Sequence, residues 1–211
     1  MFDYSTAHWV TYFSAAILLN IAPGPDLAII LGQTLRHGRK SGFIAMFGIW
    51  TGAFAHVLLA AAGLSVILAT SAVAYNLVKW LGAAYLVWLG WQALRAKAES
   101  FVAPQASATR TLKSIFLQGM LVAALNPKVA IFFLAFLPQF VVPGAGSVGA
   151  QLFLHGSLII VVAAFIEPLF LLAGDHMIRR LDSNPRVGLW IDRSLGAFFI
   201  AIGIKLALSE R

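Results

Sequence analysis

Long apolar stretches alternate with short polar ones along this chain. Six stand out, at about 8–35, 42–69, 73–94, 112–138, 148–174 and 187–208. Phe54–Leu68 is representative: His56 and Ser65 are its only polar positions. A water-facing helix would carry a polar stripe at a 3.6-residue period, and none is present. Crossing about 30 Å of hydrocarbon takes roughly 20 helical residues, and each stretch is long enough. The pattern predicts an all-α integral membrane protein with six transmembrane helices.

Two stretches are interrupted near their middles. The first carries Asn20-Ile21-Ala22-Pro23-Gly24-Pro25-Asp26, the fourth Leu125-Asn126-Pro127-Lys128. In both, a proline is followed at once by a charge. A break at membrane depth leaves backbone polar groups that hydrocarbon does not satisfy, so it persists where protein or a water-filled cavity supplies partners. Matching interruptions in two halves point to a transporter's substrate site. Proline favours the first helical position and Asn or Asp the cap region, so Pro25 and Pro127 read as starts of new half-helices. At 1.5 Å per residue, Asp26 lies ~15 Å from one end of its span and Lys128 a similar distance from the opposite end of its own. Both starts are expected near the midplane of helices 1 and 4, presenting N–H groups and partial positive charge to an anion.

Composition sharpens this. The 211 residues are 60% hydrophobic and only 11% charged, with a mean hydropathy of +0.86. Soluble domains carry about 25% charged residues. The absence of cysteine excludes disulfides and thiolate metal sites. The net charge of +7 does not point to nucleic acid, because the basic residues sit in short loops. Of fifteen Lys and Arg, eleven flank the first, third and fifth loops: Arg36, Arg39, Lys40, Arg95, Lys97, Arg110, Lys113, Arg179, Arg180, Arg186 and Arg193. Those loops are therefore expected in the cytoplasm and both termini outside. Trp9 and Trp80 near outer ends, and Trp91 and Trp190 near inner ends, fit interfacial belts. The first stretch lacks the basic flank and cleavage site of a secretory signal.

The halves resemble each other. Leu81-Gly82-Ala83 matches Leu195-Gly196-Ala197, and Pro25-Asp26 matches Pro127-Lys128. This suggests one membrane domain built from residues 1–95 and 112–211, joined by a cytoplasmic linker at 96–111. Repeats of three spans lie inverted in the membrane.

Asp26 and Lys128 supply one charge of each sign, matching a zwitterion. The alternatives are that they neutralise each other, and that the prolines kink helices for packing. An Asp or Lys at the centre of a span costs roughly 2.5–3.5 kcal/mol, which argues for a use. Glu167-Pro168 reads as a third charged break. Its carboxylate is a candidate proton carrier, or else pairs with an inner-loop arginine or reaches water. His56 and His155 are candidates for a relay or for helix-to-helix hydrogen bonds; Asn20 and Gln118 for cavity lining or the same bonding. Gly48-Ile49-Trp50-Thr51-Gly52 fits a close-packing face. No metal-ligand cluster, phosphate loop or nucleophile motif is present, so neither an enzyme nor a cofactor is expected.

Together these pieces resemble the LysE/RhtB-type amino-acid exporters. The matching residues are Pro23-Gly24-Pro25-Asp26, Gly38-Arg39-Lys40-Ser41-Gly42, Leu81-Gly82-Ala83-Ala84-Tyr85-Leu86 with Leu89-Gly90, and Asn126-Pro127-Lys128 through Phe132-Phe133 to Leu137-Pro138-Gln139-Phe140. The resemblance implies a bacterial inner-membrane exporter of amino acids or close derivatives, of the homoserine and threonine type, driven by proton antiport. Its partners would be a small zwitterionic amino acid, protons and the lipid bilayer; a homo-oligomer is compatible with it. The signature positions carry over to Pro23, Gly24, Pro25, Asp26, Asn126, Pro127 and Lys128, and an acid is expected at Glu167. Pro168 and Asp175-His176 depart from the pattern. An exporter of another small solute or ion, or a passive channel, is the alternative.

Overall fold

A computed structural model describes residues 4–21, 24–64, 72–95, 111–173 and 185–208. Every regular element among them is helical. In chain order these are α1 (Thr6–Ile21), α2 (Pro25–His37), α3 (Arg39–Leu59, continued by a π-helical turn Ala60–Leu64), α4 (Ala72–Leu94), α5 (Leu112–Leu125), α6 (Pro127–Phe136, continued by a 3₁₀ turn Leu137–Phe140), α7 (Val148–Leu172) and α8 (Pro185–Leu208). The stretches from Arg39 to Gly63 and from Val148 to Leu172 are each long and apolar enough to cross a membrane. α1 and α2 pass the same test together, with a 48° bend between them. The linker is described only at Thr111, and Asp175-His176 lies outside the described residues.

The two expected breaks are present, and their registers match. Gly24 caps α2 with an extended backbone (φ −163°, ψ 178°), Pro25 takes the first helical position and Asp26 the second. Asn126 caps α6 in the same way (φ −72°, ψ 109°), followed by Pro127 and Lys128. Each cap carbonyl accepts the first helical bond, from Ala28 N–H and Ala130 N–H, both at 3.0 Å. The third expected break is absent. α7 runs through Pro168 without interruption. Proline's fixed φ is helical, so one lost N–H bond near the end of a packed helix need not end it.

Other ends follow local chemistry. The Thr111 hydroxyl accepts from Ser114 N–H at 3.2 Å to start α5, and Ser147 caps α7. Gly38, at φ 82°, ends α2 and begins α3. That left-handed conformation suits glycine, and it reverses the chain in a single residue.

Close backbone contacts fix the helix directions. A Cβ on Gly48 would meet the Phe116 carbonyl at 2.2 Å, and one on Gly52 the Met120 carbonyl at 2.3 Å. The expected close-packing face is thus the contact between α3 and α5, which run parallel. Gly90 of α4 and Gly196 of α8 each abut the other's carbonyl, while Gly203 abuts that of Ala83. Those two helices run antiparallel. α7 runs parallel to α1, through Tyr4–Gln151 and His8–His155, and antiparallel to α3, through Trp50–Glu167 and Val57–Gly156. The core is divided. A larger aromatic cluster (Tyr12, Phe132, Phe136, Phe140, Leu152, Phe199) fills one end. A smaller aliphatic one (Ile30, Met46, Ile49, Leu171) fills the other.

Candidate functional site

Both breaks open onto one cavity between these clusters, of about 90 Å³. That is room for several waters or a compact solute. Asn20 of α1, Gly24-Pro25-Asp26 at the first break and Asn126 at the second line it. α3 adds Ile49, Trp50 and Ala53; α6 adds Val129, Phe132 and Phe133; α7 adds Ile159, Ile160, Ala163 and Glu167. The wall is mainly apolar, with polar groups converging at the breaks. Each start turns the N–H groups of its first turn out of its N-terminal end, where a helix attracts negative charge.

Two carboxylates, Asp26 and Glu167, share the cavity. Glu167 is only 8% exposed. The indole N–H of Trp50 donates to its Oε2 at 2.7 Å, tying α3 to α7 across the cavity wall. A hydrogen bond to an ionised acceptor contributes about 1.5–3 kcal/mol. Sequence reasoning passed over Trp50 because it sat inside a motif read as packing. The available signal was an indole N–H in mid-span, which needs an acceptor when buried.

A family model for the LysE type translocator matches residues 17–210. The chain belongs to that family. It is similar to a leucine efflux protein of Klebsiella pneumoniae subsp. pneumoniae, 25% identical over 97% of each chain. The uncharacterized membrane protein YrhP of Bacillus subtilis is 31% identical over 95% of this chain and 98% of its own. An uncharacterized membrane protein of Vibrio cholerae is 28% identical over 96% and 97%. No solved structure matches. As a LysE type translocator the protein is a membrane transporter, not an enzyme.

The remaining expected site residues fall into three groups. Pro23 lies outside the described residues, as do the side chains of Pro127 and Lys128; their backbone opens α6. Asn20 lines the cavity while its amide donates to the Ala16 carbonyl at 2.8 Å. His56, Gln118 and His155 make helix-to-helix bonds away from the cavity wall. The His56 Nε2–H donates to the Ala123 carbonyl of α5 at 3.2 Å. Gln118 accepts from Gln33 of α2 at 3.0 Å, and Gln33 accepts from the His37 Nδ1–H at 3.0 Å. His155 belongs to the aromatic end of the bundle, bonded to His8 at 2.8 Å.

Proposed function

We propose that this LysE type translocator exports zwitterionic amino acids with aliphatic side chains across the bacterial inner membrane in exchange for protons. One observation carries the reading: two helix starts in the same register, with two carboxylates, converge on one mainly apolar cavity. The substrate ammonium would sit at Asp26, and its carboxylate at the helix starts with Lys128. Glu167 or Asp26 would carry the proton. The wall of Leu19, Ile49, Val129, Phe133, Ile159 and Ile160 suits an aliphatic side chain. Burying one is favourable by about 1.5–3 kcal/mol, whereas a buried hydroxyl without a partner costs about 1–3 kcal/mol. The leucine named in several relatives agrees with this. A homoserine or threonine cargo is the second reading, favoured by Asn20 and Asn126, whose amides could meet a hydroxyl.

The proposed architecture is six spans in two inverted three-helix repeats. The equal registers of the breaks support it. So do parallel α3 and α5, which need an odd number of crossings between them. Efflux of labelled leucine, threonine, homoserine and lysine from loaded, energised cells tests the whole reading. Leucine should leave fastest, and an uncoupler should abolish its uphill export. Export indifferent to the uncoupler would remove proton exchange, and equal rates for all four would remove the aliphatic site.

A further inference from the structure

At the aromatic end, Tyr4 and the first two turns of α1 are held against α7 by a short polar ladder. The Tyr4 hydroxyl donates to Gln151 Oε1 at 3.1 Å. The two imidazoles meet at 2.8 Å, His8 Nε2 to His155 Nε2. The Tyr12 hydroxyl donates to the His155 carbonyl. Gln151 is locked in turn, its amide donating to the Val142 and Gly146 carbonyls at 3.0 Å and its Oε1 accepting from Val142 N–H at 2.9 Å.

The hydrogen bonds fix the tautomers. His155 Nδ1 lies 2.8 Å from the Gln151 carbonyl, so it carries a hydrogen and donates. In the neutral ring Nε2 is then an acceptor, and the facing His8 Nε2–H is the donor. One added proton is compatible with this contact. It resides on His8 Nδ1, or on His155 Nε2 with His8 accepting through its other tautomer. A second added proton is not compatible. Both Nε2 atoms then carry hydrogens, and two cations face each other at contact distance.

The other described groups packed on the two rings are Tyr4, Trp9, Tyr12, Phe140 and Gln151. The tyrosine hydroxyls are the titratable groups among them, and no Asp, Glu, Lys or Arg is. No charged side chain among these described groups offsets a second positive charge; the Gln151 carbonyl supports the His155 ring by one hydrogen bond only. Directly beneath lie Tyr12, Phe136 and Phe132, all fully buried; Phe132 stacks on Phe136, Tyr12 meets Phe136 at a tilt, and Phe132 is also cavity wall. α1 is separated from α2 by the first break, so its N-terminal part can swing without carrying α2.

We propose that the His8–His155 pair is a proton-binding latch over the outer end of the cavity, closed with at most one added proton and opened when both rings are protonated. Opening separates α1 from α7 and exposes the aromatic plug to the outside, where protons are supplied. The proposal rests on the transport reading and orientation above. Its test needs no substrate, so its failure is distinct from failure of the efflux assay.

The chain contains no cysteine, so one introduced thiol reports alone. Ala53→Cys places it in the cavity wall, and Ser147→Cys gives an exposed reference at the same end of the bundle. A membrane-impermeant thiol reagent is applied from outside to the full-length protein in sealed vesicles. The Ala53→Cys rate, divided by the Ser147→Cys rate at each pH, removes the reagent's own pH dependence. Between about pH 7.5 and 4, a window carried below ordinary imidazole titration because the second proton enters beside the first charge, the ratio should rise at least ~10-fold and more steeply than one proton allows. Adding His8→Gln keeps an N–H donor for His155 but takes up no proton, and should hold the ratio within about twofold. A flat ratio with both histidines native overturns the proposal, and this series needs no change at either ring. A rise undiminished in both His8→Gln and His155→Gln overturns it, as does a pH-dependent rise seen only from the opposite face.

Discussion

The two breaks begin their half-helices with the same three positions, yet they differ in what surrounds those positions. The first separates α1 from α2 by residues 22–24, and the helices meet at 48°. The second separates α5 from α6 by Asn126 alone. The first is capped by glycine and followed by an acid; the second is capped by a buried asparagine and followed by a base. Under the proposed function, matching registers with opposite charges would suit the pair to a dipolar solute. If transport moves one half-helix against its partner, the longer and more bent first break is the expected joint and the single-residue second break the expected wall.

The largest effect is expected from removing the charges. Asp26→Asn and Lys128→Met should each weaken substrate binding by roughly 2–5 kcal/mol, at least ~30-fold in affinity. Binding to purified protein measures this. If the charges only neutralise each other, the double variant should regain binding, since no buried charge is left uncompensated; such recovery would remove the substrate role from both.

Next is the acid that the breaks share. Glu167→Gln keeps the shape and removes the titration. It should abolish uphill export while leaving downhill exchange measurable in counterflow. Trp50→Phe removes the donor to Glu167 and should cost about 1.5–3 kcal/mol where the carboxylate is ionised and about 0.5–1.5 kcal/mol where it is protonated. The readout is a shift in the pH profile of transport at unchanged expression. Identical profiles for Trp50→Phe and the parent would show that the indole merely packs.

The smallest effect concerns the caps themselves. Gly24→Asn makes the first break resemble the second and should change thermal stability by only a few tenths of a kcal/mol, because glycine and asparagine are both acceptable caps. Asn126→Ala should cost about 1 kcal/mol. Equal losses at both positions would erase the distinction between joint and wall. The orientation of both breaks is checked in intact cells: an impermeant reagent should label Ser147→Cys and leave Lys97→Cys untouched.

Much of this was legible because membranes simplify sequence. Proline next to a charge in an apolar run has few explanations, so both breaks could be placed to the residue. Pairings across the bundle were not legible. Trp50 and Glu167 are 117 positions apart, and His8 and His155 are 147. Nothing local marks either pair. His8 sat in a flank weighed for its charge, while His155 was weighed as a lone ring. Pro168 failed in the opposite sense. Its local meaning was clear, but one missing N–H is a small cost beside the packing of a 25-residue helix.

The single-residue reversal at Gly38 has a mechanical consequence. With no slack between them, α2 and α3 can turn only as one piece, and the glycine contacts fasten that piece to α5. α1 is clasped instead to α7, and α7 is fastened in turn to α3 by the Trp50–Glu167 bond and the Val57–Gly156 contact. α1 and the α2–α3 piece are thus joined by two routes, one through the first break and one through α7, and both pass along the cavity wall.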